Sequence, residues 1–268
     1  MPCYICVTCG SQFSQSDVPP ERCAICEDAR QYVPSSGQRW TTLDTLRATH
    51  RSAVKRLEPD LYGVGVEPRF AIGQRALLVR TPAGNVLWDC VSLIDDAVID
   101  IVHGLGGLTA IAISHPHYYT TMVEWARAFD VPVLLHAADR EWVMRPDSAV
   151  EFWEGETRAL TGGLTLVRCG GHFEGGTVLH WPAGADGCGA LLTGDIIQLL
   201  PDARWVSFMR SYPNLIPLDA PRVEGIVRAV EPFAYDRLYG AWWDLWVEGE
   251  AKEVVARSAE RYVRAIGG

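Results

Sequence analysis

The chain has 268 residues, of which 48% are hydrophobic and 21% are charged, and its formal net charge is −9 at pH 7. This length and composition are typical of one large globular domain with a small appendage. An acidic chain without a basic stripe is a poor partner for nucleic acid or an anionic membrane surface, so we predict neither. The sequence also lacks the uncharged apolar run of about 18 residues that a membrane span needs.

The first 26 residues contain five of the eight cysteines. Two Cys-x-x-Cys pairs, Cys6 with Cys9 and Cys23 with Cys26, are separated by a polar loop that contains proline. Paired knuckles of this kind place four thiolates around one ion, so we predict a metal site formed by these four residues. The segment resembles a zinc ribbon or a shortened rubredoxin, and four thiolates suit either Zn(II) or iron. Cys3 has no partner at matching spacing and is predicted to stay free.

The cysteines and the N-terminal sequence together indicate in which cellular compartment the protein resides. No basic segment followed by an apolar core begins the chain, so we do not expect a secretory signal. Disulfides between the paired cysteines would need an oxidising compartment, which nothing else in the sequence indicates. We therefore predict a cytoplasmic protein. Cys90, Cys169 and Cys188 lie singly in apolar strand contexts and are predicted to be buried.

Three regions follow one another along the chain. Residues 1–36 are too few to fold on a hydrophobic core alone and are predicted to depend on their metal. Residues 37–60 are predicted to be a linker or a bridging helix, and residues 61–268 the main domain. There, short strands alternate with helices, which indicates sheets with helices on their outer faces. The predicted elements are a hairpin at 76–79 and 85–88, helices at 95–104, 120–129, 221–230 and 250–266, and strands at 109–114, 133–136 and between 164 and 194.

Potential metal ligands follow three of the predicted strands. His115 and His117 come directly after an apolar run, and residues i and i+2 at a strand end point to the same side. His172 lies in a glycine-rich turn between two apolar runs, and Asp195 follows a further one. Neutral imidazole and carboxylate groups are the donors of a one-metal site, so we predict that these four side chains converge.

These features resemble the metallo-β-lactamase fold superfamily. Its pattern is His-x-His-x-Asp-His, then a Gly-His turn, then an Asp after a Thr-Gly-Asp strand, and a last His near the C-terminal end. The resemblance covers roughly residues 61–268, including the early strand 84–89 and the strand 131–136. It implies an α+β fold with a four-layer αββα sandwich. It also implies that the first metal is bound by His115, His117, His172 and Asp195.

The sequence departs from the family pattern wherever a residue belongs to the second metal alone. Tyr119 and Thr120 stand where the motif has Asp and His, and Trp242 and Trp243 occupy the region of the last His. Thr and Trp are poor metal ligands. We therefore predict a mononuclear centre whose second metal position is filled in part by Tyr119 and Trp242.

Three residues are predicted to take part in chemistry: Asp195, Tyr119 and Glu174. Glu174 follows His172 by two positions and could act as an acid or a base, although a solvated loop carboxylate is the alternative. Asp89 ends an early strand and could hold a ligand histidine from outside the metal shell. An aromatic wall beside the metal could be formed by Tyr118, Tyr119, Trp205, Trp242 and Trp243.

Three functions are consistent with these predictions. The leading one is a metal-dependent, hydrolase-like enzyme with one Zn(II) in the main site and one in the cysteine site, acting on a small-molecule ester, thioester or lactam. The alternative is a mononuclear non-haem iron oxidoreductase of the persulfide-dioxygenase type, because two histidines and one carboxylate form the facial triad of Fe(II) oxygenases. The third is a metal-binding module without catalysis. Iron suits either site, and the sequence does not indicate an oligomeric state.

Overall fold

The computed structural model describes residues 1–267, and Gly268, the last residue of the predicted main domain, lies outside them. The helices are α1 (Ala24–Glu27), α2 (Leu43–Thr49), α3 (Asp96–Gly104), α4 (Met122–Phe129), α5 (Ala220–Val230) and α6 (Ala251–Ala265). The first ten strands are β1 (Cys3–Cys6), β2 (Gln12–Gln15), β3 (Trp40–Thr41), β4 (Arg51–Glu58), β5 (Leu61–Glu67), β6 (Ala76–Val79), β7 (Val86–Trp88), β8 (Ala110–Ala112), β9 (Val133–His136) and β10 (Val150–Trp153). The others are β11 (Thr157–Ala159), β12 (Thr165–Arg168), β13 (Thr177–Trp181), β14 (Ala190–Gly194), β15 (Gln198–Leu199), β16 (Val206–Ser207), β17 (Met209–Ser211), β18 (Ile216–Pro217), β19 (Arg237–Gly240) and β20 (Trp246–Glu248).

Two large sheets form the body of the molecule. The first has seven strands in the order β10-β9-β8-β7-β6-β5-β4, and the second has six in the order β11-β12-β13-β14-β19-β20. Strands β7 to β10 run parallel to one another, as does the pair β14 and β19, and the remaining neighbours in both sheets are antiparallel. A separate three-stranded sheet, β2-β1-β3, lies in residues 1–41, which we call the ribbon.

Side-chain alternation along the strands shows that the two sheets pack face to face. In β6, Leu77 and Val79 join a buried cluster that also contains Leu166 and Leu179 of the second sheet. Leu78, on the opposite face of β6, joins the cluster that contains the buried residues of α3 and α4. Helices α5 and α6 cover the outer face of the second sheet in the same way. Because strand residues alternate between faces, each sheet supplies one layer to the inner core and one to a helical layer. The predicted four-layer αββα sandwich is therefore confirmed.

The range 37–60, which we predicted to be a linker or a bridging helix, contains one short helix and two strands. It contains β3, which pairs with β1 of the ribbon, then α2, then β4, which pairs along its length with β5. The seven-stranded sheet thus begins at Arg51, before the predicted start of the main domain at residue 61. The prediction missed β4 because exposed Arg and Lys side chains interrupt its apolar positions, as expected of a strand at the edge of a sheet.

The other predicted elements are present with ends that differ by a few residues. The hairpin is β6 and β7, and the four predicted helices are α3 to α6. Helices α3 and α5 are capped at their N-terminal ends by Asp95 and Asp219, whose side chains accept hydrogen bonds from the backbone N–H groups of Val98 and Arg222. The prediction of three buried cysteines was wrong in part, because Cys169 is only partly buried and Cys188 is exposed in a turn between β13 and β14. Among residues 1–267, no helix combines the length and the apolar composition needed to cross a membrane.

Candidate metal centres

The four cysteines of the ribbon form a buried metal-binding group. The Sγ atoms of Cys6 and Cys26 lie 3.5 Å apart, and those of Cys9 and Cys23 lie 3.6 Å apart. Two ligands at about 2.3 Å from one tetrahedral zinc ion are separated by about 3.8 Å, whereas a disulfide would place the sulfurs about 2.0 Å apart. Hydrogen bonds from the Cys23 and Cys26 thiols lower the pKa of Cys6. The spacing and burial fit a structural metal ion, and Cys3 lies outside the group.

The second metal-binding group lies at the edge of the two large sheets, where three histidines converge. One nitrogen of each of His115, His117 and His172 lies within 4.8 Å of the others, and all three side chains are buried. The closest approach is 3.2 Å, between Nδ1 of His117 and Nε2 of His172. Nitrogens that share one tetrahedral zinc at about 2.0–2.1 Å lie about 3.3 Å apart. The donor atoms are therefore spaced as ligands of one ion.

Asp195 joins this group from one side. Its Oδ1 lies 3.2 Å from Nε2 of His115, yet neither atom has a hydrogen-bond partner among the described residues. Buried polar atoms are almost always satisfied, so two unpartnered atoms this close together are what a site built for an ion would show. Asp195 does not belong to the set of mutually close atoms that the three histidines form.

The protonation of the histidines suits metal binding. Burial lowers the pKa of His172 to about 4 and lowers those of His115 and His117 well below their usual range. Nδ1 of His172 lies 2.9 Å from the carbonyl oxygen of Met209. In the neutral ring this contact places the proton on Nδ1 and leaves the lone pair on Nε2, which faces His117. The imidazoles are thus neutral and directed at one point, as metal ligands must be.

Burial raises the pKa of Asp195, whereas it lowers the pKa values of the three histidines. Burial, together with the nearby charge of Asp89, raises the pKa of this carboxyl group to about 8. A carboxylate in such surroundings is unfavourable unless a cation lies beside it. The residues of the site therefore fit a metal cation by geometry, by unpartnered atoms and by charge.

Local backbone conformations bring the ligands together. His115 is extended, and His117 lies in a 3₁₀ turn, Pro116–Tyr118, that follows β8. The strand alternation that we used to predict their convergence is therefore not its cause. Gly194 has a φ of 55° directly before Asp195, and a Cβ there would come within 2.7 Å of Oγ of Ser114. Glycine thus allows the ends of β8 and β14 to approach each other.

Asp89 acts on the site through a neighbour of His115. Its Oδ1 accepts a hydrogen bond of 2.7 Å from the backbone N–H of Ser114, and Oγ of Ser114 lies 3.0 Å from Nδ1 of His115. Burial raises the pKa of Asp89 to about 7. The predicted contact from Asp89 to a ligand histidine is therefore indirect.

Two of the predicted catalytic residues lie away from the site. Tyr119 is buried beneath the ribbon, where it lines a small cavity with Ser11 and Arg145 rather than the metal pocket. The main-chain carbonyl of its neighbour Thr120 accepts a hydrogen bond from the N–H of Gln12. The Tyr119 prediction failed because positions 119 and 120 form the docking surface of the ribbon, which no local pattern reveals.

The Glu174 prediction also failed. Its side chain is 71% exposed and lies 3.9 Å from Arg222, outside the residues that line the metal pocket. Glu174 is therefore a solvated loop carboxylate, which was the alternative to a role as an acid or a base.

The predicted aromatic wall is partly present. Trp242 lines the pocket, and the ring of Tyr118 packs 4.5 Å from that of His115. Trp243 instead lies across Gly63 and Gly65, whose missing side chains make room for its ring. Trp205 lies elsewhere, with the Arg261 guanidinium 4.2 Å from its ring.

Sequence reasoning missed that the ribbon forms part of the pocket. Thr8, Arg30, Gln31 and Tyr32 line it together with His117, His172, Asp195, Tyr212 and Trp242. Tyr212 also donates a hydrogen bond of 2.8 Å to the carbonyl oxygen of Asp195. The only sequence signal was the position of Arg30 and Gln31 just after the second cysteine pair, which does not by itself indicate a pocket.

Arg30 connects the ribbon to the loop that carries His172. Its guanidinium donates to the carbonyl oxygen of His172 at 3.3 Å and lies 3.7 Å above the ring of Phe173. Asp28 holds the same guanidinium through contacts of 2.5 and 3.0 Å, and the side chain is only 10% exposed. Phe173 in turn packs against His117, with ring centroids 4.9 Å apart.

Replacement of this arginine should loosen the histidine site. We expect Arg30→Met to weaken metal affinity there by about tenfold, the lower end of the usual effect of an outer-shell partner. Competition with a chromophoric chelator measures this affinity. Arg22→Met is the matched control, because Arg22 is 72% exposed in the ribbon and forms an ion pair with Glu27, away from the histidines. Equal affinities in the two variants would contradict the positioning role of Arg30.

Comparison with solved structures identifies the fold. The metallo-β-lactamase FIM-1 from Pseudomonas aeruginosa, in its mono-zinc form, superposes with a TM-score of 0.58 at 14% identity, covering 78% of this chain and 95% of the other. The metallo-β-lactamase from Pontibacter korlensis gives 0.55 at 15% identity, with coverages of 78% and 98%. The metallo-β-lactamase DIM-1 gives 0.60 at 10% identity, with coverages of 81% and 98%. The chain therefore has the metallo-β-lactamase fold, as predicted.

Sequence comparison gives the family. The chain is 52% identical over 268 residues to the "Uncharacterized protein YmaE" of Bacillus subtilis (strain 168), covering 99% of this chain and 97% of that protein. It belongs to the same family as YmaE. The chain matches no family model.

Proposed function

We propose that the protein is a metal-dependent hydrolase with one zinc ion in the histidine site, acting on a small-molecule ester, thioester or lactam. A second zinc ion in the ribbon is proposed to be structural. The observation that carries the proposal is the convergence of His115, His117 and His172, with Asp195 beside them. His117, His172 and Asp195 also line a pocket. The metallo-β-lactamase fold, which includes a relative solved in a mono-zinc form, supports it.

The donor set favours zinc over the iron alternative. In the facial triad of the Fe(II) oxygenases, the three protein ligands of the metal are two histidines and one carboxylate. In this chain the three histidines are mutually close, and Asp195 approaches from one side. Three neutral imidazoles with a further position open are typical of catalytic zinc.

The residues around the site have separable roles in this proposal. A zinc ion with three protein ligands lowers the pKa of bound water to about 7 and polarises a carbonyl group. Asp195 is the carboxylate placed to hold a proton during the reaction, since its Oδ1 is free of hydrogen bonds. Trp242 and Tyr212 line the pocket together with His117 and His172, and in this proposal their rings limit the access of water. Tyr212 also fixes the backbone of Asp195.

Hydrolysis of para-nitrophenyl acetate and of a matched thioester tests this function. We expect activity in the zinc-loaded protein, its loss after treatment with dipicolinic acid, and its return on addition of zinc. A rate that is unchanged by metal removal would refute the proposal. Oxygen consumption with glutathione persulfide in iron-loaded protein, without ester or thioester hydrolysis, would favour the oxygenase alternative. The cytoplasmic location stays a prediction from the sequence.

A further inference from the structure

The ribbon and the turn between β17 and β18 are fastened together beside the pocket. Oγ of Ser211 donates to the carbonyl oxygen of Arg30 at 3.0 Å. Nδ2 of Asn214 donates to the carbonyl oxygens of Ala29 and Gln31, at 3.1 and 2.8 Å. The two segments that carry these residues are far apart in the sequence and are held side by side at this edge of the pocket.

Exposed apolar side chains follow directly on both segments. Tyr32 and Val33 are exposed in the ribbon, and Leu215 and Ile216 are exposed after the turn. We call these four residues the apolar shelf. They are four of the nine large hydrophobic side chains that are exposed among residues 1–267. Apolar side chains that are exposed together mark contacts with a ligand or a partner, whereas single ones need no explanation.

The two segments carry no charge next to the shelf. Residues 31–38 and 211–218 contain no Asp, Glu, Lys or Arg, in a chain of which 21% of the residues are charged. Pro34, Pro213 and Pro217 lie among them and restrict the backbone. The shelf is therefore an uncharged surface on a stiff backbone, which loses little entropy when it binds an apolar group.

Leu215 is unfavourable for the folded protein in two ways. Its φ of 55° lies in the left-handed region, which favours glycine or asparagine. Its side chain is 78% exposed, so burial does not offset this cost. Residues held in unfavourable backbone conformations concentrate at functional sites. We therefore attribute the leucine at this position to a contact with a bound molecule.

The apolar shelf is continuous with the metal pocket. Tyr32 belongs to both, because it lines the pocket and is 46% exposed, and Pro213 lines the pocket two residues before Leu215. The pocket has a volume of about 250 Å³, which is below the usual range of about 300–1,000 Å³ for drug-sized ligands. A substrate whose carbonyl group lies at the histidines thus fills the pocket with a short part of its chain. Any longer part leaves the pocket beside Tyr32 and Pro213.

The size of the shelf and the charge of the chain favour a substrate over other occupants. A stable protein interface takes about 20–30 residues from each partner, whereas the shelf has four. The net charge of −9 opposes an approach to an anionic membrane. A single hydrocarbon chain needs neither a large interface nor a complementary charge.

We propose that the apolar shelf binds a hydrocarbon chain of the substrate, so that the enzyme selects esters, thioesters or lactams whose apolar chain is longer than the pocket. This rests on the proposed hydrolase function, because the reactive carbonyl is taken to lie at the histidine site. Each methylene group that lies on the shelf leaves water, so affinity rises with chain length. The ribbon then selects the substrate through Tyr32 and Val33, in addition to its support of His172 through Arg30.

Binding of straight-chain hydroxamates tests the proposal independently of hydrolysis. Calorimetry on the zinc-loaded full-length protein gives the dissociation constants from acetohydroxamate to octanohydroxamate. In the wild type we expect a gain in affinity of about tenfold or more between butanohydroxamate and octanohydroxamate, because four methylene groups in partial contact contribute about twofold each. Leu215→Asn should reduce this gain by about threefold, and Val33→Thr should also reduce it. Asparagine tolerates the left-handed conformation and threonine keeps the shape of valine, so both variants should fold.

Ile101→Thr is the matched control, because Ile101 is exposed on α3 and lies outside the pocket. It should keep the wild-type gain, and metal content and circular dichroism should match in all variants. A gain that is unchanged in Leu215→Asn and Val33→Thr, or that is reduced equally in Ile101→Thr, would overturn the proposal.

Two further results would also count against the shelf as a substrate site. One is a wild type that binds every chain length equally or binds no hydroxamate. The other is binding of the wild type, but not of Leu215→Asn, to phosphatidylcholine vesicles while the chain-length gains stay equal, which would make the shelf a membrane contact. If the hydroxamates behave as expected but no ester or thioester is hydrolysed, the hydrolase function fails and the shelf stands as a chain-binding site.

Discussion

Replacement of His117 by alanine is expected to lower the metal content of the purified protein from two ions per chain to one and to abolish ester hydrolysis. The reason is that Nδ1 of His117 lies 3.2 Å from Nε2 of His172, so its loss removes one of the three nitrogens that would hold the ion. We expect kcat/KM to fall by more than about a hundredfold, since the loss of an outer-shell partner alone costs about 10–100-fold. Elemental analysis and steady-state kinetics measure the two effects.

His103→Ala is the matched control for this experiment. His103 is exposed near the C-terminal end of α3, outside the three converging histidines. It should retain two ions and full activity. A His117→Ala protein that keeps both ions and its activity would show that the three histidines do not bind the metal.

Replacement of Cys23 by serine is expected to remove the other ion and to unfold the ribbon. Cys23 is fully buried, and its Sγ lies 3.6 Å from that of Cys9. Structural zinc contributes an apparent free energy of about 10 kcal/mol or more to the folding of such small units. Proteolysis should then cut within residues 1–41, while residues from β4 onwards still unfold cooperatively. Mass spectrometry of the digest and thermal unfolding give both results.

The same variant should also lose activity, which links the two sites. Without the ribbon, Arg30 no longer contacts the His172 carbonyl, and Gln31 no longer lines the pocket. We expect ester hydrolysis to fall by at least about tenfold. Cys3→Ser is the control, because Cys3 lies outside the four-cysteine group. Full activity in a Cys23→Ser protein that has lost its ribbon metal would show that the ribbon is dispensable for the reaction.

The sequence alone was sufficient for features that depend on short stretches of chain. Two Cys-x-x-Cys pairs predict four sulfurs around one point, because two residues between cysteines close a single turn. The strands of the inner core were found from their apolar runs, since burial on both faces leaves few polar positions. The order of His115, His117, His172 and Asp195 along the chain indicated the fold superfamily, and the structure brings these side chains together.

Only the tertiary structure decided which residues surround the ligands. Tyr119 lies one residue beyond the 3₁₀ turn that carries His117, yet its side chain faces the ribbon and not the metal pocket. Arg30 and Gln31 are more than a hundred positions from the histidine they approach, and no local pattern marks them. A motif constrains the directions of side chains within one turn or strand. The pocket is formed by the docking of two folding units, and that depends on packing between segments that are far apart in the sequence.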